Sequence, residues 1–335
     1  AFAALKKDNT VVVWGDPKNG GDSNDTFVSG LTNIRVIYST NYAFATIDKK
    51  NKVFTWGNVN TGGESPDNLN DFDIKEIYSN KYTFAAITMD KNIKVWGIKS
   101  YGGNQSKVDA FTDIKKIFST QTAYVARDIN GKLHAWGARD KGGKIPTQAV
   151  DDLKNVVINE VYSTLTAFAA VTDNGDVITW GEEGGDSDAV KGDLKNVSTV
   201  FATDFAFAAL TEDGDVVTWG NTLKGGNSSD VSDDLKNIKN ITATDSAFAA
   251  LTEDGDVVTW GDPLKGGDSS AVADDLKNIQ VIYANYRAFA AVREDGVVIT
   301  WGDPPKGGDS SLVSQYLTNI NKVFSTRFAF AALKN

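Results

Sequence analysis

The chain has 335 residues, 41% of them hydrophobic, a formal net charge of −10 and no cysteine. Without thiols there is no disulfide framework, no thiolate metal site and no cysteine nucleophile, a lack that is compatible with secretion. An acidic balance speaks against nucleic acid as a partner, because phosphates are neutralised by clustered Lys and Arg, and no apolar run approaches the roughly 20 residues that cross a bilayer, so no membrane insertion is expected.

Taken in order, the chain is one unit counted out. Trp-Gly pairs begin at Trp14, Trp56, Trp96, Trp136, Trp180, Trp219, Trp260 and Trp301, at spacings of 39 to 44 that average 41. Repetition at this period marks propellers and solenoids, whose single units cannot bury an apolar face alone. Each Trp-Gly is preceded by an Ala-Phe-Ala-Ala-Leu type string, at 1 to 5, 43 to 47, 83 to 87, 123 to 127, 167 to 171, 206 to 210, 247 to 251 and 288 to 292, and a ninth copy stands at 329 to 333. Apolarity at every position predicts a strand covered on both faces, with Ala allowing close approach of neighbouring sheets.

Between string and Trp lie turn pairs such as Asp8-Asn9, Asn130-Gly131, Asn174-Gly175, Asp213-Gly214 and Asp295-Gly296. Asp, Asn and Gly readily take positive φ, so each unit is read as a hairpin. A β-branched or aromatic segment ahead of the string, such as Ile241 to Thr244, supplies a third strand. The Gly-Gly loop after the Trp is read as irregular, carrying at most a fourth strand. The expected fold is all-β, a single β-propeller repeat domain over residues 1 to 335, with eight repeats of about 41 residues and blades of about four strands. A closed ring of eight has places for eight such strings. The surplus copy predicts a displaced terminal strand, an overlap between chains, or a segment of a longer array.

The string A-L-x-x-D-G-x-V-x-x-W-G, whole at residues 209 to 220 and 250 to 261, resembles the repeat of the regulator of chromosome condensation family and is similar to that of the bacterial β-lactamase-inhibitory propeller. The resemblance runs through every unit and implies radial blades whose loops bind other proteins. The sequence departs from that family where it has Ala43, Ala167, Ala206, Ala247 and Ala288 in place of a His, and Gly-Gly-Asp-Ser in place of Gly-Gln-Leu-Gly. These departures set regulation of a small GTPase third among the functions considered.

The recurring Trp residues suit packing, though exposed aromatics also stack sugars. The Asp-rich turns are hairpin chemistry and not a calcium site, and no cofactor is implied. The one His, His134, has no nucleophile or second acid beside it in the sequence pattern, so the chain is read as non-enzymatic. Residues 88 to 150 depart furthest from the repeat, and Tyr101, Tyr124, Arg127, His134 and Arg139 gather there. Aromatics and Arg anchor protein interfaces, so these five are the candidate partner-binding residues.

Charge is uneven: residues 1 to 150 carry 20 Lys+Arg against 15 Asp+Glu, and residues 151 to 335 carry 14 against 29. Opposed halves, together with the ninth string, predict association end to end. The expected function is a protein-interaction or structural assembly module, with carbohydrate binding as the second class.

Overall fold

In the computed structural model, which describes residues 1–153 and 156–334, the chain divides into two compact units, Ala1–Thr166 and Ala167–Asn335. The first holds a hairpin of Phe2–Leu5 and Val11–Trp14, then three antiparallel three-stranded sheets whose middle strands are Ala43–Asp48, Thr83–Thr88 and Ala123–Asp128, then the strand Ile158–Ser163. The second opens with the hairpin Ala167–Thr172 and Val177–Gly181. Three more such sheets follow, with middle strands Ala206–Thr211, Ala247–Thr252 and Ala288–Arg293, and then the pair Ile320–Ser325 and Phe330–Lys334. The sheets are all-β propeller-type blades, one per repeat. The ninth string forms a strand of its own, Phe330–Lys334, paired with Ile320–Ser325.

One blade shows why the string folds this way. Ala247–Thr252 pairs on one side with Val257–Gly261, placing Phe248 opposite Trp260, and on the other with Ile238–Ala243, whose register shifts by a bulge between Ile238 and Asn240. The turn closing the hairpin puts Gly255 at φ 84°, and Thr252 Oγ1 accepts the Asp256 N–H at 3.0 Å. Where a repeat lacks Gly at this place, Asn9, Asn51 and Lys91 take the left-handed conformation instead. Asn does so at small cost, whereas Lys91 is an unusual tenant.

The middle strand is covered on both faces. Ala247, Ala249 and Leu251 pack against Leu276, Phe289, Ala291 and Trp301 of the next repeat. The opposite face sends Phe248 and Ala250 toward Ala206, Ala208 and Leu210 of the repeat before. Ala at alternate positions is what lets a Phe and a Trp of the neighbouring blade come this close. Each Phe and its Trp stack: Phe248 and Trp260 have ring centroids 5.1 Å apart and planes at 25°.

A second contact crosses between repeats. The Trp260 indole N–H donates to the Gly225 carbonyl of the preceding Gly-Gly at 3.0 Å, and Trp56, Trp96, Trp136, Trp219 and Trp301 make the equivalent bond to Gly20, Gly62, Gly102, Gly184 and Gly266 at 3.0–3.1 Å. Gly225 sits at φ 98°, and a Cβ there would stand 2.6 Å from the Phe248 ring. Only Gly satisfies both conditions.

The loop after each Trp-Gly forms short helical turns, mostly 3-10, where a fourth strand was allowed for. Asp262 Oδ1 accepts the Leu264 N–H at 3.1 Å, starting the turn Pro263–Lys265, and the Thr259 hydroxyl donates to Ser269 Oγ at 3.0 Å, fastening the loop's tail to the strand Val257–Gly261. These short-range bonds satisfy the loop's polar groups locally. No ladder partner is needed, so the segment has no reason to become a strand.

Trp260→Phe keeps the ring but leaves the buried Gly225 carbonyl unpaired, and should cost about 1–3 kcal/mol. Trp260→Ala should cost about 3–5 kcal/mol. Urea unfolding followed by circular dichroism measures both. A Phe variant with an unchanged midpoint would remove the hydrogen bond from any structural role.

Candidate partner-binding site

The five residues singled out in the sequence do not converge. Tyr124 is wholly buried in the place of the repeat's Phe, stacked on Trp136 at 5.1 Å. Its hydroxyl donates to the Thr83 carbonyl at 2.7 Å and accepts from the Asn80 N–H at 2.9 Å and from Thr83 Oγ1 at 3.0 Å. Burial pushes the phenol well above its ordinary range. Tyr124 is packing plus a polar tie to the preceding repeat, and no partner reaches it.

Arg127 also points along the blades, its guanidinium donating to the Ile158 carbonyl at 2.8 Å and to the Asn159 carbonyl. The His134 ring lies 4.8 Å from Phe111, with Nε2 3.1 Å from Asp128 Oδ2. Asp128 at the same time caps the hairpin through the Asn130 and Lys132 N–H groups at 2.9 and 3.0 Å. This pair is a cross-strand brace.

Tyr101 and Arg139 do reach the surface. Tyr101 ends the 3-10 turn Lys99–Tyr101, and its ring lies 5.2 Å from Tyr82, which in turn stacks 5.9 Å from Tyr42. All three rings are half-buried, and Lys81 Nζ lies 5.3 Å over Tyr82. Tyr42 and Tyr82 were missed in the sequence. Their signal is positional: both stand two residues before the Phe of the string, where Thr122, Thr166, Phe205, Ser246, Arg287 and Phe328 stand in other copies. Arg139 opens the turn Arg139–Gly143 and lines a cavity of about 410 Å³ together with Lys99, Lys107 and Lys144, over Ala135 and Trp136.

In the second unit the same end of the blades carries a polar cluster. The Tyr286 hydroxyl donates to Asp204 Oδ2 at 2.8 Å, and Lys265 Nζ binds Asp245 Oδ2 at 2.9 Å and Ser246 Oγ at 3.2 Å. Burial raises the Asp204 carboxyl above its ordinary pKa, opposed mainly by the hydrogen bond from Tyr286 and aided by the nearby Asp245 charge. Among the described residues, no three His or carboxylate side chains group so as to hold a metal ion, and no helix is long and apolar enough to cross a membrane.

No protein-family model matches the chain, and no curated protein matches it. Solved structures do. The ectodomain of the receptor kinase CR4 from Physcomitrella patens aligns at 15% identity and a TM-score of 0.43, over 81% of this chain and 73% of that one. Kap60-bound yeast RCC1 (Prp20) aligns at 16% and 0.41, over 81% and 70%. Human WBSCR16 aligns at 15% and 0.40, over 80% and 76%. TM-scores this low carry no argument about activity. The repeat itself is an RCC1-like β-propeller repeat: an Ala-Phe-Ala-Ala-Leu strand, an Asp-Gly hairpin and a Trp-Gly strand at a period near 41.

Asp204→Asn preserves an acceptor for Tyr286 and removes a charge that burial disfavours. Because the folded-state pKa is raised, the charged form is penalised above that value, and the penalty fades as pH falls through it. The Asn variant should therefore be the more stable at pH 7, with the advantage gone below pH of about 3.8, the ordinary Asp value. Thermal melts across pH test this, and an Asn variant less stable than wild type at pH 7 overturns it.

Proposed function

We propose that the chain is a non-enzymatic protein-interaction module. The observation that carries this reading is the half-buried ladder of Tyr42 from one repeat and Tyr82 and Tyr101 from the next, one ring beside another. Tyrosines held at fixed spacing lose little entropy on contact, and their hydroxyls tolerate water at the rim, which is why they anchor interfaces. The polar side chains around them are engaged in local structure: Asn80 Oδ1 caps the Tyr82 and Thr83 N–H groups at 2.8 and 2.9 Å. A surface of aromatic rings with its polar neighbours so engaged supports recognition.

Carbohydrate binding is the second reading, favoured by the same ladder, since sugar rings stack on exposed aromatic faces. Affinity capture from the native source, read by mass spectrometry, separates the two when run beside a glycan array. Specific capture of a protein, lost in Tyr82→Ala with stability retained, is the expected result. Glycan binding lost in the same variant, with no protein captured, would replace the first reading with the second.

A further inference from the structure

We infer that the cavity lined by Lys99, Lys107, Arg139 and Lys144 is a carboxylate-binding site for an acidic segment of a protein partner, an inference that rests on the interaction-module reading above. It begins with the local rules of the repeat. Eight residues after the Trp the chain places Asp22, Asp268 and Asp309, and Asn227 in another copy. Each of these caps the following turn through the N–H two residues on, at 2.9–3.0 Å. The repeat of Trp136 has Lys144 at this place. An Asx cap has been given up for a cation.

The cap is lost at the other rim of the turn as well. Two residues after the Trp, Asp16, Asn58, Asn221 and Asp262 accept a backbone N–H at 3.0–3.1 Å, and Asp303 holds the same position. In the repeats of Trp96 and Trp136 this residue is Ile98 and Ala138, neither of which caps its turn. In the second unit the acid here also neutralises the neighbouring turn, Lys224 Nζ lying 3.5 Å from Asp262. In the turn before Ala138 the cation comes first, at Lys99, with Tyr101 last, and Ala138 offers it no carboxylate. Acids have thus been removed on both rims of one cavity while four cations line it. None of the four forms an ion pair among the described residues, and Asp140, the carboxylate beside Arg139, does not line the cavity.

Breaking a local folding rule at two places without structural gain is what a binding site looks like in an otherwise consistent repeat. The arrangement favours a short acidic peptide over a polyanion track. The cavity holds about 410 Å³ with Ala135 and Trp136 in its wall, a bounded pocket and not a stripe. The turn that supplies Lys99 also supplies Tyr101, so the ladder and the pocket share one element.

The test is calorimetric titration of the full chain with an acetylated, amidated tetra-aspartate peptide in about 50 mM salt, where screening is modest. Saturable binding is expected, weakened at least about tenfold in both Lys144→Asp and Lys107→Gln. Lys144→Asp restores the residue other repeats carry, so it should melt no lower than wild type. Lys49→Gln, an exposed lysine away from the cavity, should bind as wild type does. Equal loss in Lys49→Gln, no loss in Lys144→Asp, or tighter binding of a heparin oligosaccharide or inorganic phosphate than of the peptide would overturn the proposal. If the peptide fails to bind while Tyr82-dependent protein capture persists, the pocket falls alone. If the peptide binds and no protein is captured, the module reading falls.

Discussion

The bond from the Trp indole to the Gly carbonyl of the repeat before it, made by Trp56, Trp96, Trp136, Trp219, Trp260 and Trp301, is the constraint on which the blades depend. It is buried, it ties neighbours at 3.0–3.1 Å, and it needs a residue at positive φ whose missing side chain leaves room for the next repeat's Phe. Three residue types at three distant positions are therefore specified together. Around this contact the Phe and Trp rings stack at 5.1–5.4 Å and the alternating Ala residues set the blade spacing. A stacked aromatic pair adds about 0.5–1.5 kcal/mol beyond its burial, and a hydrogen bond about as much again, repeated once per unit. Summed over nearest neighbours, that is how a repeat array holds without a single large core.

The tie also explains the tolerance of the loops. The repeat of Trp180 is two residues shorter before its Gly-Gly, yet Gly184 still reaches φ 91° and its carbonyl still accepts the Trp219 indole at 3.0 Å. The anchor is kept and the path to it is free to vary. Similarly, Tyr124 replaces a Phe without loosening the joint, because its hydroxyl finds three partners on Asn80 and Thr83. The Trp136 indole still binds Gly102 at 3.1 Å beneath it.

Much of this was legible in the sequence. Uninterrupted apolarity in Ala-Phe-Ala-Ala-Leu forces a doubly covered strand, and Asp-Gly forces a hairpin. The Gly-Gly was legible only as a loop, because its meaning lies in a carbonyl and a φ angle about 35 residues from the indole it serves, as for Trp260 and Gly225. The 3-10 turns were not legible either: Asp262, Thr259 and Ser269 bond locally through side chains that carry no periodic signal. At the candidate site the difficulty was different. Tyr124, Arg127 and His134 depart from the repeat as Tyr101 and Arg139 do, but departure alone does not say whether a side chain faces a neighbouring blade or water.

What separates the two groups is the position's role in the consensus. Tyr124 and His134 replace residues of the middle strand and the Trp-Gly strand, so they inherit burial, and their polar atoms must be satisfied inside. Tyr101, Arg139 and Lys144 replace loop residues, and loops carry no obligation to pack. Asp or Asn recurs two and eight residues after Trp219, Trp260 and Trp301, and Ile98, Ala138 and Lys144 break the series where the cations gather. With the joint between blades fixed by buried Trp, Phe and Gly, the loop positions are free to change charge without changing the fold. Unit 1 carries 21 Lys+Arg against 18 Asp+Glu and unit 2 carries 13 against 26. One architecture thus presents two electrostatic characters, and the character changes in residues that the packing does not use.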